Sequence, residues 1–139
     1  MIVLDTSGLL AAYDRRQHTH RQVLDVLEKE AGTLLLSPFV LAELGYLLAT
    51  RVSPQAAEAA LQDVANGVYE LIPFSAADTA RALAVIRKCP ALEIGIADAS
   101  CVTIAGDQRT TRVLTLDERR FRTVRPLYGE AFTVLPADA

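Results

Sequence analysis

Cysteine is scarce in this chain. Its 139 residues include only Cys89 and Cys101, which have neither CxxC spacing nor a companion pair. That speaks against a disulfide framework or a cysteine zinc motif, and both read as reduced core thiols. Long apolar runs are also missing. No segment reaches the roughly 18 uncharged apolar residues of a membrane span, and the opening lacks the basic stretch of a secretory signal. The expectation is a cytoplasmic protein with no membrane association. There is no basic excess either. A net charge of −3 speaks against a module that binds nucleic acid merely by neutralising phosphates. It leaves room for an enzyme whose acidic site holds cations that in turn meet phosphates. The only histidines, His18 and His20, lie in the polar stretch DRRQHTH and read as solvated surface residues. Linkers, repeats and low-complexity runs are absent, so residues 1–139 read as one domain.

What is present is an apolar fraction of 51%, enough for a sizeable core. Short apolar runs alternate with helical patterns. Strands are expected at 2–5, 33–36 (TLLL), 69–74 (YELIPF), 112–117 (RVLTLD) and 131–135 (AFTVL). Between them, helical periodicity covers 7–13, 20–31, a helix from Pro38, another from Pro54 to about 66, 76–88 and 96–105. Ser37-Pro38 and Ser53-Pro54 each place a capping hydroxyl before a proline at the first helical position. Ser75 with Asp78 resembles a capping box. Strand–helix alternation of this kind predicts an α/β fold, a three-layer α/β/α sandwich around a mostly parallel five-stranded sheet.

Four acids stand out against this frame. Asp5 ends the apolar run IVL, and Asp117 ends the run VLTL. In an open parallel sheet, ligands bind beyond the carboxyl ends of the strands, so adjacent strands would present both carboxylates on one rim. Glu43 is the only charged residue between Ser37 and Arg51. Its helical neighbours are apolar, so free solvation is not expected there. Asp98 stands among small and apolar residues near a helix start. Each acid also has a local reading: a helix cap for Asp5, a turn residue for Asp117, a partner for a buried arginine at Glu43, a first-turn acid at Asp98. Converging carboxylates repel unless cations neutralise them. Mg²⁺ or Mn²⁺ suits an all-oxygen donor set, with the hydroxyls of Thr6, Ser7 and Thr115 placed to hold metal waters from behind.

MIVLDTSGLLA, SPFVLAEL, IADASCVTIA and VLTLDERRF, in this order and spacing, resemble the PIN-domain family of metal-dependent ribonucleases. The opening and size are most similar to the VapC toxins of toxin–antitoxin pairs. The resemblance covers essentially the whole chain. It implies Asp5, Glu43, Asp98 and Asp117 as the catalytic, metal-holding acids, with Phe121 as the trailing aromatic. One departure is that many relatives carry a further Asp directly before that Phe, where this chain has Arg120. The activity implied is hydrolysis of RNA phosphodiesters with Mg²⁺ or Mn²⁺. Arg15, Arg16, Arg119, Arg120 and Arg122 are candidates to guide the strand, although such runs also occur as plain solvated faces. The implied partners are RNA, a cognate VapB-like antitoxin and a second copy of the chain in a homodimer. A housekeeping nuclease of RNA processing and a non-catalytic PIN-fold binding module are the alternatives. A haloacid-dehalogenase-like phosphatase is disfavoured because Ser7 stands where its second acid belongs. A receiver domain is disfavoured because no acid follows the third strand.

Overall fold

The computed structural model describes all 139 residues. Five strands form one sheet: β1 (Ile2–Leu4), β2 (Leu34–Leu36), β3 (Glu70–Leu71), β4 (Arg112–Leu114) and β5 (Thr133–Leu135). Every pairing is parallel and the order is β3-β2-β1-β4-β5. Seven helices connect them: α1 (Thr6–Tyr13), α2 (His20–Lys29), α3 (Pro38–Arg51), α4 (Pro54–Ala65), α5 (Ala76–Lys88), α6 (Ile96–Asp107) and α7 (Glu118–Thr123). A single 3₁₀ turn, Pro90–Leu92, precedes α6.

Local chemistry explains most boundaries. Ser37 Oγ accepts the Phe39 N–H at 3.1 Å, and Ser53 Oγ accepts that of Ala56 at 3.1 Å. Ser75 and Asp78 exchange both bonds of a capping box. Each such cap satisfies amide donors that a helix start leaves without partners. The inner strands are buried on both faces, as parallel strands covered by crossover helices must be, whereas the short edge strand β3 is exposed. Ile2, Val3, Leu4 and Leu36 have no exposed surface.

Three strands are shorter than their apolar runs. The third pairs only over Glu70–Leu71: the Ile72 N–H still reaches the Leu36 carbonyl at 2.9 Å, but β2 ends there, where Ser37 opens α3. The fourth ends at Leu114, three residues before Asp117. The Leu116 N–H turns to Ser7 Oγ (2.9 Å), and the Asp117 N–H turns to Thr115 Oγ1 (3.0 Å). Side chains thus pull the backbone out of the sheet just before α7. The fifth strand is confined to Thr133–Leu135.

The topology locates a crevice. The chain builds β1, β2 and β3 outward in one direction, then returns to the other side of β1 to lay down β4 and β5. The strand order therefore reverses between β1 and β4, and ligands of open α/β sheets bind at such a switch point. Glycine lets α1 sit close to this edge. A Cβ on Gly8 would lie 2.7 Å from the Leu114 carbonyl oxygen, so only hydrogen fits where α1 crosses the end of β4.

Candidate active site

Asp5 leaves β1 at the switch point and is almost fully buried, with 3% exposure. It occupies the N-cap position of α1 yet makes no side-chain capping bond. Its Oδ2 instead accepts the Thr115 hydroxyl at 2.7 Å and the Ser7 hydroxyl at 3.0 Å. An ionised carboxylate only accepts, so both hydroxyl protons point at Asp5. The 3.1 Å approach of Ser7 Oγ to Thr115 Oγ1 then has no proton to share. These bonds hold Oδ2 and leave Oδ1 clear of both hydroxyls. Burial raises the Asp5 pKa, the bonds from Thr115, Ser7 and Thr6 oppose the rise, and the charge of Glu43 adds to it.

Asp98 lies in the first turn of α6, and its side chain is 14% exposed. Its pKa is pushed up to about 6, chiefly by burial and then by Asp5, with Arg120 opposing and Asp117 and Glu43 adding. Three other acids therefore act on one carboxylate, which means that residues scattered over the sequence share one electrostatic field. Asp117 caps α7: its Oδ1 accepts the Arg120 N–H at 3.1 Å. The turn expected at Asp117 is thus a helix start.

Glu43 corrects the expectation of a shielded acid. It is exposed, because the buried stripe of α3 is Val40, Leu44 and Leu48, and Glu43 is rotated about 100° away from Leu44. It faces an open hollow of about 350 Å³ bordered by Phe39, Gly95, Asp98 and Arg120. On the same helix Tyr46 is 69% exposed, whereas Leu48 is fully buried. A larger hollow, about 600 Å³, lies beside α2 and β5 around Glu30 and Arg112. It contains none of the four acids, and we place the chemistry with the acids.

A hydroxyl pair that the sequence did not reveal holds two of these elements together. Ser37 and Ser100, both with 0% exposure, approach at 2.6 Å. Ser100 donates its proton to the Ala97 carbonyl at 2.6 Å, so Ser37 is the donor between them. The pair ties the start of α3, which carries Glu43, to the start of α6, which carries Asp98. Its only sequence signal is a serine within each apolar run, LLLSPF and ADASCV.

The arginines separate sharply. Arg16 pairs with Asp14 at 3.0 Å, and Arg122 pairs with Asp138 at 2.7 Å and with Glu118 at 3.0 Å. Arg120 turns into the acid cluster, 2.9 Å from Asp98 and 3.3 Å from Asp117. Arg15 and Arg119 are exposed and form no ion pair. Both cysteines are free thiols.

The donor chemistry fits a hard divalent cation: carboxylate and hydroxyl oxygens, without histidine or thiolate. The Thr6 hydroxyl next to Asp5 is buried with no hydrogen-bond partner, an acceptor and donor that a hydrated ion would satisfy. With Arg120 spanning Asp98 and Asp117, no three acids converge on a single coordination point in this side-chain arrangement.

Fold and site together define an α/β domain with an acidic centre at the switch point of a parallel sheet. The PIN domain signature matches residues 2–126, and the chain belongs to that family. It is 42% identical over 135 residues to Ribonuclease VapC26 of Mycobacterium tuberculosis, covering 97% of this chain and 100% of that protein. The crystal structure of Mycobacterium tuberculosis VapC20, described as a sarcin–ricin loop cleaving toxin, superposes with a TM-score of 0.80 at 20% identity, covering 85% of this chain and 91% of that one. VapBC2 from Rickettsia felis, bound to a DNA fragment from its promoter, gives a TM-score of 0.68 at 23% identity, covering 96% and 98%.

Proposed function

We propose that this chain is a metal-dependent endoribonuclease and the toxin of a toxin–antitoxin pair. The observation that carries this reading is the gathering of the acids: Glu43 and Asp98 border one hollow, Arg120 joins Asp98 to Asp117, and the field of Asp5 reaches the same carboxyl group. The 42% identity to a VapC ribonuclease supplies the substrate class.

Asp5 and Asp98 are the principal residues to hold Mg²⁺ or Mn²⁺. Glu43 either joins them or orients the attacking water, and Asp117 supports the site from α7. Once bound, such an ion lowers the pKa of water towards neutrality and stabilises charge on the phosphate oxygens. The protein's own groups do the positioning. Ser7 and Thr115 fix Oδ2 of Asp5, which sets the direction in which Oδ1 points. Glu43 stands at the open side, where it accepts a hydrogen bond from water approaching the phosphate. Arg15 and Arg119, free of internal partners, are the candidates to guide the strand past an acidic centre that repels it.

The structural relatives include VapBC and FitAB assemblies and a toxin–antitoxin complex from Klebsiella pneumoniae with a TM-score of 0.67. This supports a VapB-like antitoxin as partner. Exposed Tyr46 on α3 and Leu61 on α4 support a homodimer through that helical hairpin. No helix is long and apolar enough to cross a membrane, and the cytoplasm is the proposed site of action.

Asp5→Asn tests the reading. The variant should fold, lose RNA cleavage and lose toxicity to its host, and its Mn²⁺-dependent rise in melting temperature should shrink. Full cleavage by Asp5→Asn would remove the catalytic assignment.

A further inference from the structure

We infer that Arg120 is a permanent internal cation of the acid cluster, holding Asp98 and Asp117 and confining a divalent ion to the Asp5 and Glu43 side of Asp98. This rests on the metal-dependent reading above and specifies how the four acids divide between two kinds of cation.

The oxygens show the division. Both oxygens of Asp117 are engaged by Arg120: Oδ1 accepts its backbone N–H at 3.1 Å, and Oδ2 faces its Nε at 3.3 Å. Asp98 Oδ2 accepts Arg120 Nη1 at 2.9 Å, which leaves Oδ1. Asp5 Oδ2 is taken by two hydroxyls, again leaving Oδ1. Glu43 has no side-chain ion pair and faces the hollow it shares with Asp98 and Arg120. The oxygens without a strong partner therefore belong to Asp5, Asp98 and Glu43, and the acid furthest along the chain serves the guanidinium.

Arg120 is not one more member of a solvated basic run. It is only partly exposed, and with Asp98 it borders the apolar side chains of Ile94, Val102, Phe121 and Val124. Leaving either charge unpaired over such a floor is costly. Arg122, two positions on, turns the other way to Glu118 and Asp138. A guanidinium does not deprotonate at any pH the protein meets, and its planar fork reaches two carboxylates at once. It therefore neutralises one of the four negative charges whether or not metal is present. Before an ion arrives it relieves repulsion in the cluster, and after arrival it competes for the shared field.

Titrating Mn²⁺ into the full-length protein, following free Mn²⁺ by electron paramagnetic resonance, tests this with no reliance on cleavage. Wild type should bind one Mn²⁺. Arg120→Met keeps the apolar stem and removes the charge, and it should bind Mn²⁺ at least about tenfold more tightly or gain a second ion. Its metal-free melting temperature should fall below that of wild type, and saturating Mn²⁺ should narrow the gap. Arg120→Lys keeps the charge but cannot bridge two carboxylates as a fork. It should tighten Mn²⁺ binding at least about threefold, which decides the matter if Arg120→Met does not fold. Two Mn²⁺ ions on wild type, or unchanged affinity and stoichiometry in the foldable variants, would overturn the role of Arg120 while leaving a metal-dependent nuclease in place. Absence of Mn²⁺ binding in all three proteins would overturn both.

Discussion

Replacing Asp98 by Asn should stabilise the metal-free protein at neutral pH, although it removes a salt bridge. The Asp98 carboxyl sits at about 6 in the folded protein against an ordinary 3.8. At about 1.4 kcal/mol per pH unit, keeping it ionised at pH 7.5 costs the fold about 3 kcal/mol. Its side chain is only 14% exposed, so solvent screens little of that cost. The attraction of Arg120 already opposes the rise and needs no separate subtraction.

The pH dependence fixes the sign. The folded protein holds this proton more tightly than the unfolded chain does. The associated stability is fully present below pH 3.8 and is lost as pH rises to about 6, with little change beyond. Asparagine has no proton to lose. In urea unfolding with a chelator, Asp98→Asn should exceed wild type by up to about 3 kcal/mol at pH 7.5 and match it near pH 4. Mn²⁺ at about a thousand times its Kd should reverse the order at pH 7.5, since it then adds about 4.1 kcal/mol to the form that binds it. A variant equally destabilised at both pH values would refute the reasoning. It would mean that the Arg120 pair outweighs burial and repulsion, and that the acids do not strain the metal-free fold.

Two further outcomes test how the site is held. Gly8→Ala should lower stability by about 1–3 kcal/mol despite the better helix propensity of alanine, because its Cβ meets the Leu114 backbone at 2.7 Å; a urea midpoint at or above wild type would contradict this. Ser100→Ala leaves the buried Ser37 hydroxyl without its acceptor and should cost about 1–3 kcal/mol. RNA cleavage per folded molecule should fall with it, because Glu43 and Asp98 lose the bond between their helices, and unchanged cleavage would confine the serine pair to stability.

The sequence disclosed features that depend on short-range chemistry. The Ser-Pro helix starts, the Ser75–Asp78 box and the alternation of strand and helix all survive into the structure, although the third and fourth strands are much shorter than expected. Features decided across the fold were less legible. The helix ERRFRT is six residues with one buried side chain, Phe121, too little for a periodic pattern to register. Missing that helix hid the position of Arg120, since one turn of α7 carries its guanidinium back over Asp117. The exposure of Glu43 depends on a rotation about the α3 axis that flanking apolar residues do not specify. Shortening of the fourth strand required knowledge that Ser7, 109 residues from Leu116, accepts its amide proton.

The acids tolerate one another because each is accommodated differently. Asp5 is held by hydroxyls, which stabilise its charge without adding a cation. Asp117 is held by a helix cap and a guanidinium, Asp98 by that same guanidinium on one oxygen, and Glu43 by solvent. A uniform solution, with four buried salt bridges, would silence every carboxylate; four unpaired buried acids would destabilise the fold or protonate. The mixed arrangement leaves free oxygens on Asp5, Asp98 and Glu43 and a raised pKa on Asp98. Binding of the proposed divalent ion would then remove a standing penalty as well as form new bonds. Affinity for metal and instability without it are, on this account, two readings of one arrangement of charge.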